Sequence, residues 1–255
     1  MADHALHHDH PHGLAHQFED MPQQKESAVI GMWSFLITEI LFFGGFFATY
    51  LIYRSYYPEA FFEGSSHLDI PLGAFNTIVL IVSSLTMAMA VHKSHEGNKR
   101  GILVYLTLTG ILGLTFLVVK YFEYSAKIEY GLVPGLVWHP HGENSPQLAL
   151  FYSLYFGMTG MHALHMVIGI GLLIWVFVKT AQGTYTAEYN APVEIFGLYW
   201  HFVDIVWIYR ISLSHTQIRT LYAYGLEGFD DFGYVHAFEV FCEHDVGELH
   251  FLSFL

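Results

Sequence analysis

Cysteine is almost missing from this chain. Cys242 is the only one in 255 residues, which excludes an intrachain disulfide and a thiolate metal cluster. Charge is scarce as well. Asp, Glu, Lys and Arg make up 13% of the residues, against roughly 25% in ordinary soluble domains. The formal net charge is −13, much of it in the N-terminal segment and after Arg210. No basic footprint for nucleic acid is present. The N-terminus carries acidic and histidine residues where a basic n-region belongs, so a cleaved signal peptide is not expected. A phosphate-cradling glycine loop, a convincing Ser/His/Asp or Cys/His set, an internal repeat and a Gly/Ser linker are all absent.

What the chain has instead is apolar residues, 53% of the total, gathered into blocks. Five blocks reach the roughly 20 residues that an α-helix needs to cross the hydrocarbon of a bilayer. They run over Ala28–Tyr53, Leu72–Val91, Gly101–Tyr124, Leu148–Val178 and Val193–Leu213. Pro58, Pro71, Pro134, Pro140, Pro146 and Pro192 fall between them as helix breakers. The expected fold is all-α, a polytopic integral membrane helix bundle with about five transmembrane helices. Residues 1–27 form a histidine-rich tail, 28–213 the membrane domain, and 214–255 an atypical acidic and aromatic tail.

The loop His92–Arg100 is the most basic connection, which places it and the N-terminus in the cytoplasm and the C-terminus outside. The loop from Arg54 to Pro71 then faces outward, with Glu59, Glu63 and Asp69. The histidines at 4, 7, 8, 10, 12 and 16 fit either a solvated tail or a metal-scavenging one.

The informative residues are the polar ones inside the apolar blocks. Glu39 sits near the centre of the first, where an ionisable group costs at least about 2.5 kcal/mol on insertion scales. Phe42, Phe43 and Phe46 share its helix face, and Gly44 and Gly45 permit close approach of a helix or lipid chain. Glu39 is therefore either a neutral glutamate bonded to a neighbouring helix or a proton-related or lipid-contacting group. Lys120 and Glu123 close the third block as a pair expected to snorkel, with Tyr121 and Tyr124 as interfacial anchors.

His162 and His165 lie on one face of the fourth block, where they can share a partner or pack against a neighbour. With no third ligand at comparable spacing, they do not amount to a metal site. In the fifth block, Trp200, Asp204 and Trp207 form one stripe, and His201 stands three residues from Asp204. That His–Asp pair reads as a clamp between helices or a proton relay.

The order of these motifs resembles subunit III of the haem-copper terminal oxidases. The resemblance rests on Ser34–Phe47 around Glu39, the loop His92–Arg100, Phe122-Glu-Tyr124, Met161–Gly169 and Tyr199–Trp207, and it spans about Ala28 to Tyr209. It implies a subunit with no haem or copper of its own, those cofactors being expected in partner subunits. It further implies docking on the catalytic oxidase subunit I, bound phospholipid, and support of proton uptake and turnover stability. Glu39 takes the position of the family's buried glutamate. Glu123, His162, His165, Trp200, His201, Asp204 and Trp207 match the remaining signature positions, the first three implied, with Glu39, as proton-related or lipid-contacting and the last four as structural or interface residues. The longest members have seven helices, so five blocks resemble the shorter bacterial type of the inner membrane. After Tyr209 the chain departs from the family pattern. Cytochrome c is the expected electron donor, with quinol as the alternative. Two competing readings are a b-type membrane cytochrome, with haem between His162 or His165 and His201, and a stand-alone proton-coupled transporter using Glu39.

Overall fold

A backbone in hydrocarbon must satisfy its own N–H and C=O groups, so apolar blocks of this length become helices. In the computed structural model, which describes residues 16–66, 68–135, 137–138, 145–185 and 189–223, six helices form. They are α1 (Met21–Tyr56), α2 (Pro58–Ser66), α3 (Ile70–His95), α4 (Lys99–Glu129), α5 (Ser145–Ala181) and α6 (Ala191–Ala223). A small antiparallel hairpin, β1 (Leu132–Val133) and β2 (Val137–Trp138), follows α4. Every one of these helices except the short α2 is long and apolar enough to cross a membrane, giving the five spans expected.

The chain divides at Ser214. The unit Met1–Ser214 holds the five spans; of the unit beyond it, the helical backbone to Ala223 is described. The histidines at 4, 7, 8, 10 and 12 and the tail from 224 lie outside the described residues.

The helices outrun the apolar blocks at both ends because polar flanks supply the caps. Asp20 accepts the Gln23 N–H at 2.8 Å, Asp69 the Leu72 N–H at 3.1 Å, and Asn98 the Gly101 N–H at 3.1 Å. α1 has 36 residues, about 54 Å at the helical rise, so it projects beyond the roughly 30 Å hydrocarbon layer. At the other end of the turn after α3, Gly97 adopts φ +66°, the left-handed conformation that reverses the chain into α4. Lys99 Nζ donates to the Ala181 carbonyl at 2.6 Å and so caps the C-terminus of α5.

One element was not legible in the sequence. The loop after Arg54 contains α2, whose Phe61 is fully buried edge-on against Tyr50 and Phe151, each 5.3 Å away. Gly64 lets the Phe151 ring lie directly on the α2 backbone, where any Cβ would collide. Nine residues with mostly small and acidic neighbours carry too short an apolar pattern to announce a helix.

Large apolar side chains such as Ile30, Leu41, Val104, Ile111, Val118 and Ile174 remain more than half exposed. The core lies between the helices and is unusually aromatic, with Phe116, Phe151, Tyr152, Trp200 and Trp207 almost fully enclosed. Water-filled surroundings would penalise that outer surface; lipid does not.

Candidate functional site

Glu39 on α1 meets His165 on α5. His165 Nε2 lies 3.1 Å from Glu39 Oε2, and its Nδ1 lies 2.8 Å from the Met161 carbonyl. A carbonyl only accepts, so Nδ1 carries a hydrogen, and the contact with Glu39 must hold one proton. That proton sits either on the carboxyl, donated to neutral imidazole, or on Nε2, donated to carboxylate. The side chains are 18% and 10% exposed, so little solvent competes for it. Phe43 packs edge-on to the imidazole at 5.2 Å, and the Tyr199 hydroxyl donates to the His165 carbonyl at 2.8 Å. A bond from Glu39 to a neighbouring helix is thus present.

His162 does not share this partner. Three residues along a helix separate two side chains by about 60°, enough to turn His162 away from α1 toward α4 and α6. Its ring lies 5.4 Å from Phe116 and 5.0 Å from Trp207, and neither nitrogen has a hydrogen-bond partner among the described residues.

Lys120 and Glu123 also depart from expectation. Instead of snorkelling at an interface they point inward, with Lys120 4% exposed and the Glu123 side chain 9%. Lys120 Nζ donates to Glu123 Oε2 at 2.5 Å, the Tyr155 hydroxyl donates to Oε1, and Lys127 Nζ stands 3.9 Å from Oε1. Tyr124 donates to Thr159, whose hydroxyl donates to the Tyr155 carbonyl at 2.7 Å. Arg210 of α6 joins from the other side, its guanidinium 4.7 Å from the Tyr155 ring centre and 5.0 Å from that of Trp207. The reason is rotational. Tyr121 and Phe122, 70% and 66% exposed, take the outer face of α4, which leaves positions 120, 123 and 127 on the inner one.

The stripe on α6 faces α3. Trp200 Nε1–H donates to Ser83 Oγ at 3.0 Å, Trp207 Nε1–H to Thr77 Oγ1 at 3.3 Å, and His201 Nδ1 pairs with Ser84 Oγ at 2.7 Å. The expected His201–Asp204 pair does not form. A three-residue offset aims His201 at Ser84, while the fully enclosed Asp204 carboxylate comes near the same serine without completing a hydrogen bond. The clamp between helices is therefore indole and imidazole on hydroxyls. Sequence reasoning overlooked Thr77, Ser83 and Ser84, although Thr77 and Ser84, seven apart in an apolar block, are a readable signal.

His201→Phe should keep the packing volume yet lose the Ser84 bond, a cost of about 0.5–1.5 kcal/mol in the thermal unfolding of α6. An unchanged melting profile would show that this bond contributes nothing.

Among the described residues, no group of three or more His, Cys, Asp or Glu side chains is placed to hold a metal ion. His165, His162 and His201 are directed to three different neighbours, Glu39, the Phe116 and Trp207 rings, and Ser84.

Comparison with known proteins agrees on one family. The family described as cytochrome c oxidase subunit III matches residues 16–214. The chain is similar to cytochrome c oxidase subunit 3 of Synechocystis sp., 32% identical over 204 residues, covering 80% of each chain. It is 31% identical over 200 residues to cytochrome bo(3) ubiquinol oxidase subunit 3 of Pseudomonas aeruginosa, covering 77% of this chain and 88% of that one. It is 31% identical over 198 residues to cytochrome c oxidase subunit 3 of Loxodonta africana, covering 74% of this chain and 69% of the relative.

Proposed function

Since the chain belongs to the cytochrome c oxidase subunit III family, we propose that it is the non-redox third subunit of a proton-pumping haem-copper oxidase, docked on the catalytic subunit I. It is a multi-pass membrane protein of a respiratory oxidase complex. In this reading it binds phospholipid, sustains proton uptake by the catalytic subunit and prolongs its working life, while haem and copper reside in the partners. Glu39 and His165 form its proton-related group; Glu123 and His162 belong to its buried polar interior; Trp200, His201, Asp204 and Trp207 hold α6 in place.

The observation that carries this reading is the 3.1 Å contact between Glu39 Oε2 and His165 Nε2 at mid-span, which with Nδ1 held by the Met161 carbonyl has room for one proton. A structural hydrogen bond between helices needs no titratable pair, because neutral side chains avoid the insertion cost. A pair that can hold its proton on either partner suits a subunit that influences proton delivery nearby. Lys25, Lys93, Lys99, Arg100 and Lys179 gather at one end of the bundle, where Lys25 pairs with Glu194 at 3.0 Å. This supports a cytoplasmic N-terminus in a bacterial inner membrane by the positive-inside bias.

Glu39→Gln keeps a group able to bond His165 but removes the exchangeable carboxyl proton. The expected complex assembles normally, its stability changed by no more than about 1.5 kcal/mol, yet shows slower proton uptake and earlier inactivation during turnover. The measurement is stopped-flow proton uptake with turnover counting in purified oxidase carrying either version. Wild-type values in both assays would make Glu39 purely structural. Co-purification with a haem- and copper-bearing partner tests the subunit assignment itself; a stable, active protein isolated without one would defeat it.

Cytochrome c is the donor in the first reading. The similarity to a ubiquinol oxidase subunit in Pseudomonas aeruginosa supports quinol as the second. Oxygen consumption by the purified complex with reduced cytochrome c or with ubiquinol decides between them.

A further inference from the structure

His201 lies near the middle of the membrane-crossing stretch of α6, Ala191–Leu213. At the helical rise it stands about 15 Å from one end of that stretch and about 18 Å from the other. Its Nδ1 is taken by Ser84 Oγ at 2.7 Å. The Asp204 carboxyl near that serine completes no hydrogen bond, so Nδ1 is the acceptor that the Ser84 hydroxyl has among the described residues. Ser84 therefore donates, and an uncharged imidazole then carries its one N–H on Nε2. That N–H has no partner among the described residues.

The ring is not walled in. His201 and Ser84 are half-buried, and the side chains around them open outward. One and two turns along α6, Ile205 and Ile208 are exposed, as are Ile81 and Leu85 beside Ser84 on α3. The seam between α3 and α6 thus presents a polar group within an apolar outer face, at the depth of the bilayer centre.

Hydrocarbon tails cover isoleucine and leucine at no cost, but they offer the N–H no acceptor, and an unmet donor in an apolar medium costs more than a hydrogen bond returns. Lipid ester carbonyls and headgroups begin at the edge of a hydrocarbon layer about 30 Å thick, so they do not reach mid-span. A protein helix brings apolar side chains and a polar acceptor to that depth together.

We propose that the α3–α6 seam around His201 is the docking surface for a transmembrane helix of the catalytic subunit, which sets a carboxyl, amide or hydroxyl side chain against His201 Nε2. The identity of the occupant rests on the subunit assignment above; the open donor at mid-span does not. Ser84 is the positioning residue, because its bond to Nδ1 fixes the tautomer and the direction of the ring.

The test uses the intact oxidase complex. Leu85→p-benzoylphenylalanine and Ile205→p-benzoylphenylalanine are irradiated, and mass spectrometry identifies the adducts. Both should join this chain to the haem- and copper-bearing subunit. Separately, wild type, His201→Phe, His201→Gln and Ser84→Ala are challenged with rising detergent, and this chain is counted per haem. Loss from His201→Phe should exceed that from wild type by about two- to tenfold, the contribution of one hydrogen bond. His201→Gln keeps a side-chain N–H and should hold near wild type. Ser84→Ala breaks the same bond inside the bundle but keeps the imidazole N–H, so it should lose less than His201→Phe. Wild-type retention of His201→Phe, or equal loss from His201→Phe and Ser84→Ala, overturns the proposal. So do adducts confined to lipid or to a second copy of this chain in a complex that carries haem, a result that needs no His201 variant to fold. A chain that never co-purifies with haem overturns the subunit assignment, and this occupant with it.

Discussion

Glu123→Gln is expected to be among the most damaging single substitutions in the membrane domain. The amide keeps the size of the carboxyl and can still accept from Lys120, so packing is not the cause. What disappears is the negative charge that faces Lys120 at 2.5 Å and Lys127 at 3.9 Å in an enclosed region. Removing one partner of a buried ion pair typically costs about 3–5 kcal/mol, because the remaining charge is stranded. That is a large share of a total stability of about 5–15 kcal/mol. The expected result is loss of this subunit from the purified oxidase and a lower melting temperature for what remains, read by subunit stoichiometry and differential scanning calorimetry. Lys120→Met in the same chain should restore much of the loss, since an apolar side chain of similar length needs no counter-charge. If the double variant behaves as badly as Glu123→Gln alone, charge stranding is not the mechanism. Lys127→Gln should be milder than either, because Lys127 donates no hydrogen bond to Glu123 at its present distance.

Trp200→Ala is expected to loosen α6 by a comparable amount for a different reason. The indole is 1% exposed and sits where α3, α4 and α5 converge. Its seat is made by Gly113 of α4 and Gly169 of α5, where a Cβ would come within 3.0 and 3.2 Å of the ring. Removing the ring leaves a cavity that two glycines cannot fill, and buried Trp→Ala changes cost about 3–5 kcal/mol. Gly113→Leu attacks the same contact from the other side by overpacking, at about 1–3 kcal/mol. Trp33→Ala is the control. Trp33 is 44% exposed on α1, and surface changes of this kind usually stay within about 0.5 kcal/mol. Thermal unfolding of the three variants in the purified complex should rank Trp200→Ala first and Trp33→Ala last. A Trp200 variant as stable as the Trp33 one would remove the indole from its role as the anchor of α6.

Both expectations use residues that were visible before any tertiary contact was known. Glu123, Trp200 and Asp204 stood out because polar or bulky groups inside apolar blocks are costly wherever they fall. Their partners were another matter. Ser83 is an unremarkable hydroxyl, Tyr155 one aromatic among many, and Arg210 a cation at the edge of the last block. The Lys120–Glu123 pair reads as a snorkelling interfacial pair in the sequence and is enclosed in the structure, because a run so apolar on all faces carries almost no directional signal. Position 121, more exposed than 120, reveals its orientation only beside neighbouring helices.

Composition and block length were enough for the class of fold, the number of spans and the membrane as solvent. These depend on one segment at a time, through its transfer free energy and the need to satisfy its own backbone. The motif order was likewise enough for the family, since it is a property of the string. Rotation of each helix about its axis was not available there. That rotation joins Glu39 to His165, separates His201 from Asp204 and turns three cations inward. It is set by side chains of five helices interlocking at once, and no single stretch of chain contains that information.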